Sequence, residues 1–220
     1  MEQRSVEWYK ERLGRFTASE ITRLLGKLTT QKGQDAFDSY CMEKASESVF
    51  GMVEDDYVSF DMQRGIDLEP YAFDKFKELM SEEFISVEKS EFICYGNHAG
   101  SSPDAKVNSK DTLEIKCPTP SNFFKLSLTK EVPEKHYAQM QMQMLCLDST
   151  KGYYFNYCTH LGNEYHFTII VERDEAIIQL IKERIEMAIV KKAHYVDCLK
   201  SAFLAHHDSE IKATIIEPTN

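Results

Sequence analysis

Nothing in this chain approaches the roughly 18 uninterrupted apolar residues that a membrane span needs, and its first residues, MEQRSVEWYK, lack the apolar centre of a secretory signal. Cysteine occurs six times but never as a CxxC pair, which excludes a zinc knuckle or a cysteine-ligated iron–sulfur cluster and leaves reduced thiols as the expectation. HExxH is absent as well. No Pro/Gly/Ser-rich linker, internal repeat or low-complexity tract divides the 220 residues, so the expectation is a single domain over 1–220, soluble and cytoplasmic. Positive charge is short: 26 Lys and Arg against 36 Asp and Glu leave a formal net charge of −10. That argues against a general basic surface for nucleic acid. It leaves room for a narrow basic groove, and a carboxylate-lined metal site itself adds negative charge.

What the chain does have is 42% apolar residues whose spacing changes along its length. Residues 5–14 (SVEWYKERLG) suggest a short helix. In GRFTASEITRLLG, Thr17 and Glu20 fit a Ser/Thr-x-x-Glu capping box, Ile21, Leu24 and Leu25 form a stripe, and Gly26 is a stop. Helices are expected over 35–50 and 65–80, the latter with Leu68, Ala72, Phe76 and Leu79 on one face. Pro70 fits its first turn after an Asp67 cap, or marks a kink if the helix begins near Asp61. From 84 to 117 the pattern shortens to FISVEK, SEFICY, AGSSPDAKV and TLEIKC with turn residues between, an antiparallel meander in outline. Helices return over 120–128 and 133–147. KGYYFNYC and NEYHFTIIV read as strands around THLGN, and a long amphipathic helix starts at about Asp174. Helices, a mixed sheet, then helices make an α/β architecture.

The segment SSPDAKVNSKDTLEIKCP (101–118) sets two acids and a lysine in strand-like sequence, where each loses hydration and needs a partner. In LEIKC a side-chain period of two puts Glu114 and Lys116 on one face and Leu113, Ile115 and Cys117 on the other, core-facing one. A hairpin turning at NSKD brings Asp104 toward Glu114. Two adjacent carboxylates repel, and a hard divalent ion, magnesium or manganese, is the partner that makes such a pair favourable. Lys116 then stands where a metal-bound water would be oriented. Taken alone, the same residues are better read as a Pro-Asp turn and a solvated Glu-x-Lys face.

The ordered set ERLGRFTASEI (11–21), RGIDLEPYA (64–72), GSSPDAKV then LEIKCP (100–118) and HYAQMQMQM (136–144) resembles the lambda-type exonuclease, or YqaJ-like viral recombinase, family of PD-(D/E)xK nucleases, over about residues 5–171. The resemblance implies a restriction-endonuclease-like core, a mixed central sheet flanked by helices. It also implies a magnesium-dependent deoxyribonuclease that digests one strand of linear duplex DNA from its 5′ end to 5′-mononucleotides. Such enzymes leave a 3′ overhang for annealing recombination, commonly as a homotrimeric ring beside a single-strand annealing protein, and are phage- or prophage-encoded.

By motif position Asp104 and Glu114 would bind one or two Mg2+ (or Mn2+) ions, with Glu69 and the backbone carbonyl of Ile115 completing the shell and Lys116 as the catalytic lysine. Gln139 would touch metal-bound water or the scissile phosphate. Arg12, Ser19, Ser102 and Gln141 would hold the 5′ phosphate or DNA. Independently of the family, a helix opening at Thr17 presents backbone N–H groups near Ser19, and Arg12 just upstream supplies a guanidinium, a pocket suited to a terminal phosphate; Arg15 is a further basic group. Glu69 is equally a first-turn glutamate favoured by the helix dipole, and Met140, Met142 and Met144 read as core filler. Ala105-Lys106 stands where the family often has Gly-Leu. With so acidic a chain, DNA contact would be confined to a narrow lining using Arg64, Lys106 or Lys125. An endonuclease on the same core, or a non-catalytic module that binds DNA ends, are the alternatives.

Overall fold

A computed structural model describes residues 3–51 and 59–214, with side chains up to residue 203. The chain opens with helix α1 (Val6–Arg12), started by the Ser5 hydroxyl, which accepts the Trp8 N–H at 3.2 Å. Strand β1 (Phe16–Thr17), a 3-10 turn (Ala18–Glu20) and the short helix α2 (Thr22–Leu25) follow. The capping box expected at Thr17 is therefore not formed. The Thr17 N–H goes instead to the Tyr40 hydroxyl at 2.9 Å, and its own hydroxyl lies 3.4 Å from both Tyr40 and Ser19. A buried tertiary partner outcompetes the local cap.

Helix α3 (Gln31–Phe50) starts four residues earlier than its apolar spacing suggests, because Thr30 caps it by accepting the Gly33 N–H at 3.2 Å. It stops at Gly51, whose φ of 68° is left-handed. Helix α4 (Phe60–Ser81) likewise begins early, capped by Ser59, so Pro70 lies inside it rather than in its first turn.

Next come β2 (Val87–Lys89), β3 (Ile93–Tyr95), β4 (Ala99–Ser101), β5 (Ala105–Val107) and β6 (Asp111–Lys116). The run AGSSPDAKV, read as one strand, is two, and they belong to different sheets. β4 lies between β1 and β3, whereas β5 joins a second sheet of order β2-β5-β6-β7-β8, whose last strands are β7 (Lys151–His160) and β8 (Asn163–Glu172). Pro103, with no N–H to offer a ladder, sits in the break. Gln3 donates to the Pro103 carbonyl at 3.0 Å, and Asp104 resumes the pairing through its N–H to Leu113 O at 3.0 Å.

β6 and β7 are parallel, a pairing that requires a crossover. Helices α5 (Pro120–Thr129) and α6 (Glu134–Leu147) supply it. β7 and β8 form a hairpin whose two-residue turn, Leu161 (φ 51°) and Gly162 (φ 75°), is left-handed at both positions. Helix α7 (Glu175–Thr214) closes the chain, with the Asp174 carboxylate accepting the Ala176 N–H at 2.9 Å and the Ile177 N–H at 3.2 Å.

Each face of the central sheet is covered. On one, Phe76 of α4 meets Tyr153 and Phe155 edge-on at 5.8 and 5.1 Å, above Leu113 and Ile115. On the other, Met140 and Met144 of α6 pack on Tyr154 and Val171. α2, α3, α6 and α7 share a further core of Phe16, Ile21, Leu24, Phe37, Met142, Ile178, Ile181 and Ile185. Full burial of such a side chain stabilises by roughly 1.5–3 kcal/mol. The three methionines of α6 are core residues, the role expected of them as filler. Among the described residues no helix is long and apolar enough to cross a membrane.

Candidate active site

Alternation along β6 sends Leu113 and Ile115 into the core under α4 and leaves Thr112, Glu114 and Lys116 facing α6. Glu114 is 2% exposed, a position tolerable for a carboxylate only if it is well partnered. Its Oε1 accepts from Gln139 at 2.8 Å and from the Lys116 ammonium, and its Oε2 accepts from Gln143 at 2.5 Å. The Thr112 hydroxyl donates to Gln143 Oε1 at 2.9 Å, which fixes the orientation of that amide. Gln139 and Gln143 are four residues apart on α6 and share a face.

Asp104 stands at the entry to β5, where its Oδ2 accepts the Ile115 N–H at 2.6 Å. The hairpin thus ties one acid to the strand that carries the other acid and the lysine. Burial, and then the nearby carboxylates of Glu114 and Glu69, push Asp104 well above the ordinary aspartate range, against the pull of Lys116 and the Ile115 N–H. For Lys116 burial opposes the charge, but Glu114 and Asp104 more than reverse this and hold it protonated beyond the usual lysine range. An ammonium so held is a donor and a fixed positive charge; it is not a base.

Glu69, on α4, points to the Arg4 guanidinium at 2.8 Å. Among the described residues no three His, Cys, Asp or Glu side chains are gathered closely enough to hold a metal ion as they stand. The donor chemistry nevertheless suits a hard cation: the acids present oxygen only, and the raised Asp104 registers the crowding of negative charge that a cation would relieve. Arg4, at Glu69, and Lys116, at Glu114, share that neutralising role here.

Beside the acids lies a second group. Trp8 Nε1 donates to the Ser102 hydroxyl at 2.9 Å, the Arg12 guanidinium stacks 4.1 Å above the Trp8 ring, and Arg12 reaches Ser19 Oγ at 3.5 Å. Trp8 therefore brings Arg12, Ser19 and Ser102 into one corner, although Ser19 sits on a 3-10 turn rather than at the start of a long helix. A cleft of about 1420 Å³ runs along this corner, lined among others by Arg4, Arg12, Ser19, Glu69, Lys116 and His136. On the cleft wall the His136 Nδ1 lies 2.6 Å from the Tyr154 hydroxyl. Burial, followed by the charges of Lys116 and Lys135, lowers His136 to about 4, and burial raises Tyr154 to about 12. A neutral imidazole and a protonated phenol thus share one hydrogen bond, whose donor is set by the imidazole tautomer.

Gln141 does not join the site. It is fully buried on the other side of α6, donates to the Glu172 carbonyl at 2.9 Å and accepts the Asp174 N–H at 2.8 Å, so it locks the β8–α7 junction. Arg64 is likewise occupied, donating to the Cys117 and Pro118 carbonyls at 3.0 Å each, and Arg15 donates to Gly96 O at 3.3 Å. Sequence reasoning missed Gln143, Trp8 and His136. Helical spacing from Gln139 was the available signal for Gln143; nothing local distinguishes the other two.

The description of the YqaJ-like viral recombinase domain matches residues 7–151. Among solved structures, the chain superposes on an alkaline exonuclease (LHK-Exo) from Laribacter hongkongensis with a TM-score of 0.77 and 25% identity, over 91% of this chain and 99% of that one. LHK-Exo in complex with dAMP gives 0.75 and 24% over the same shares. A phage related exonuclease from Haemophilus somnus 129PT gives 0.63 and 18%, over 86% and 96%. No curated protein matches the sequence. The mixed sheets flanked by helices are those of lambda-exonuclease-like PD-(D/E)xK nucleases. With two thirds of its length covered by the family's domain, the chain belongs to the YqaJ-like viral recombinase family.

Proposed function

We propose that this protein is a divalent-metal-dependent exonuclease that shortens the 5′-ended strand of linear duplex DNA to 5′-mononucleotides and leaves a 3′ overhang for annealing. Family membership and the fold shared with an alkaline exonuclease support the nuclease class. The observation that carries the reading is the convergence of Asp104, Glu114, Lys116 and Gln139 beside the corner of Arg12, Ser19 and Ser102.

Asp104, Glu114, Glu69 and the Ile115 carbonyl are the groups that would hold Mg2+ or Mn2+, which supplies charge neutralisation at the phosphate and a more acidic water. Lys116, held cationic, orients the attacking water and offsets charge as it builds on the phosphate. Gln139 and Gln143 keep the Glu114 carboxylate from turning. Arg12, Ser19 and Ser102 grip the terminal 5′ phosphate, so that each cut presents the next bond at the same distance from Asp104. A homotrimeric ring, a single-strand annealing partner and a bacterial cytoplasm hosting a phage or prophage complete the proposal.

The test compares 5′-phosphorylated linear duplex with covalently closed circular duplex, each in magnesium and in EDTA. Loss of the linear form alone, in magnesium alone, is expected. Cutting of the closed circle would make the protein an endonuclease instead, and digestion in EDTA would remove the metal.

A further inference from the structure

The turn from α1 into β1 is gripped by charges that are out of water. Gly14 donates its N–H to Glu47 Oε2 at 2.7 Å, and its carbonyl accepts from the Lys192 ammonium at 2.5 Å. Glu47 comes from α3 and Lys192 from α7, so two helices hold one residue from two directions. The other oxygen of Glu47 accepts from Lys44 at 2.5 Å, and Lys44 also meets Glu43 at 3.1 Å. Lys44, Glu47 and Lys192 are 9%, 5% and 8% exposed.

Burying such a set costs more desolvation than well-packed apolar side chains of the same size would. Glycine suits the position: its φ is +69°, and a Cβ would lie 2.2 Å from Ser48 Oγ, which would have to rotate away. The same network reaches the next bend. Lys44 lies 5.4 Å from the centre of the Tyr40 ring, and the Tyr40 hydroxyl accepts the Thr17 N–H at 2.9 Å. Thr17 Oγ1 in turn lies 3.4 Å from Ser19 Oγ. Arg12 is two residues before Gly14 and Ser19 five after it, so the clamp sets the separation of the two groups assigned to the end phosphate.

We infer that Glu47 and Lys192, supported by Lys44, are positioning residues for DNA-end recognition: they fix the Gly14 turn so that Arg12 and Ser19 converge on one terminal phosphate. This rests on the end-phosphate reading of that corner. The clamp touches neither β6 nor α6 through any of these bonds, so loosening it separates phosphate recognition from hydrolysis. Of the three, Lys192 is on α7, which lies beyond the matched family domain, whereas Lys44 and Glu47 on α3 lie within it.

The experiment measures kcat/KM on linear duplexes with 5′-phosphate and 5′-hydroxyl ends for the parent, Lys192→Met, Glu47→Ala and Glu47→Gln, with thermal melts of each. Lys192→Met and Glu47→Ala should lower the phosphate-to-hydroxyl ratio roughly tenfold, about 1.4 kcal/mol, through KM on phosphorylated ends, with the rate on hydroxyl ends unchanged. Glu47→Gln retains an acceptor for the Gly14 N–H and should recover most of the ratio. A folded Lys192→Met or Glu47→Ala protein that keeps the parental ratio, or loses both rates equally, overturns the inference. If Lys192→Met fails to fold, the comparison of Glu47→Ala with Glu47→Gln decides. A parent with no preference for phosphorylated ends would instead refute the end-phosphate reading, and this role with it.

Discussion

Glu114 ends among a lysine and two glutamines, and each partner can be removed separately. Gln143→Leu takes away the donor to Oε2 and strands the Thr112 hydroxyl. Loss of such a supporting partner typically weakens a metal site about 10–100-fold. A magnesium titration of the nuclease rate should show that shift with a far smaller change at saturating metal.

His136 gives a prediction in pH. Its value falls from 6.5 to about 4 on folding, so between these values the unfolded chain binds more protons and stability rises with pH. The contribution is complete above about pH 6.5 and is lost as pH falls toward 4, on the order of 3 kcal/mol. Urea melts of His136→Gln, whose amide can either donate to or accept from the Tyr154 hydroxyl, should show a flatter acid limb than the parent. At this scale strand alternation made the shared face of Glu114 and Lys116 legible and the NSKD turn brought Asp104 toward them, whereas reading the three as a site rested on the family resemblance. Gln141 was misread because residues two apart on a helix diverge, and the four-residue spacing that selects Gln143 was the better guide.

Among the elements, the β7–β8 hairpin carries an evident local cost. Leu161 is held at φ 51° and is 85% exposed, so it suffers the steric penalty of a left-handed conformation without burying its side chain. Asn-Gly is the preferred pair for this turn. Leu161→Asn should therefore stabilise by up to about 1 kcal/mol and raise Tm by roughly 2–4 °C, with nuclease activity unchanged. The long amphipathic helix α7 was readable from its spacing. Boundaries set from a distance were not. Thr17 looks like a helix cap until Tyr40, 23 residues later, takes its N–H. AGSSPDAKV looks like one strand until the pairing partners of β4 and β5 place its halves in different sheets.

Over the whole molecule, acid exceeds base, with a formal net charge of −10, and Asp104, Glu114 and Glu69 bring three carboxylates near one another. Asp104→Asn keeps an acceptor for the Ile115 N–H while removing a charge crowded by Glu114 and Glu69. In EDTA at neutral pH the variant should melt higher than the parent and have no nuclease activity; an unchanged or lower Tm would mean that the acids are not in electrostatic conflict. Magnesium should raise the parent's Tm by mass action and leave the variant's nearly unmoved. The α/β order of the chain was legible because helix and strand periods alternate along it. The division into two sheets was not, since it depends on which strands meet after collapse.

The most direct test follows each strand of a 5′-phosphorylated linear duplex in magnesium, for the parent and for Lys116→Ala. The parent should shorten only the 5′-ended strand at each end and release 5′-mononucleotides, and Lys116→Ala should bind the same ends and release at most about a thousandth as much, the loss of roughly 4 kcal/mol of transition-state stabilisation. Equal release by the two proteins would contradict the account, because the lysine beside Glu114 would then have no part in the chemistry.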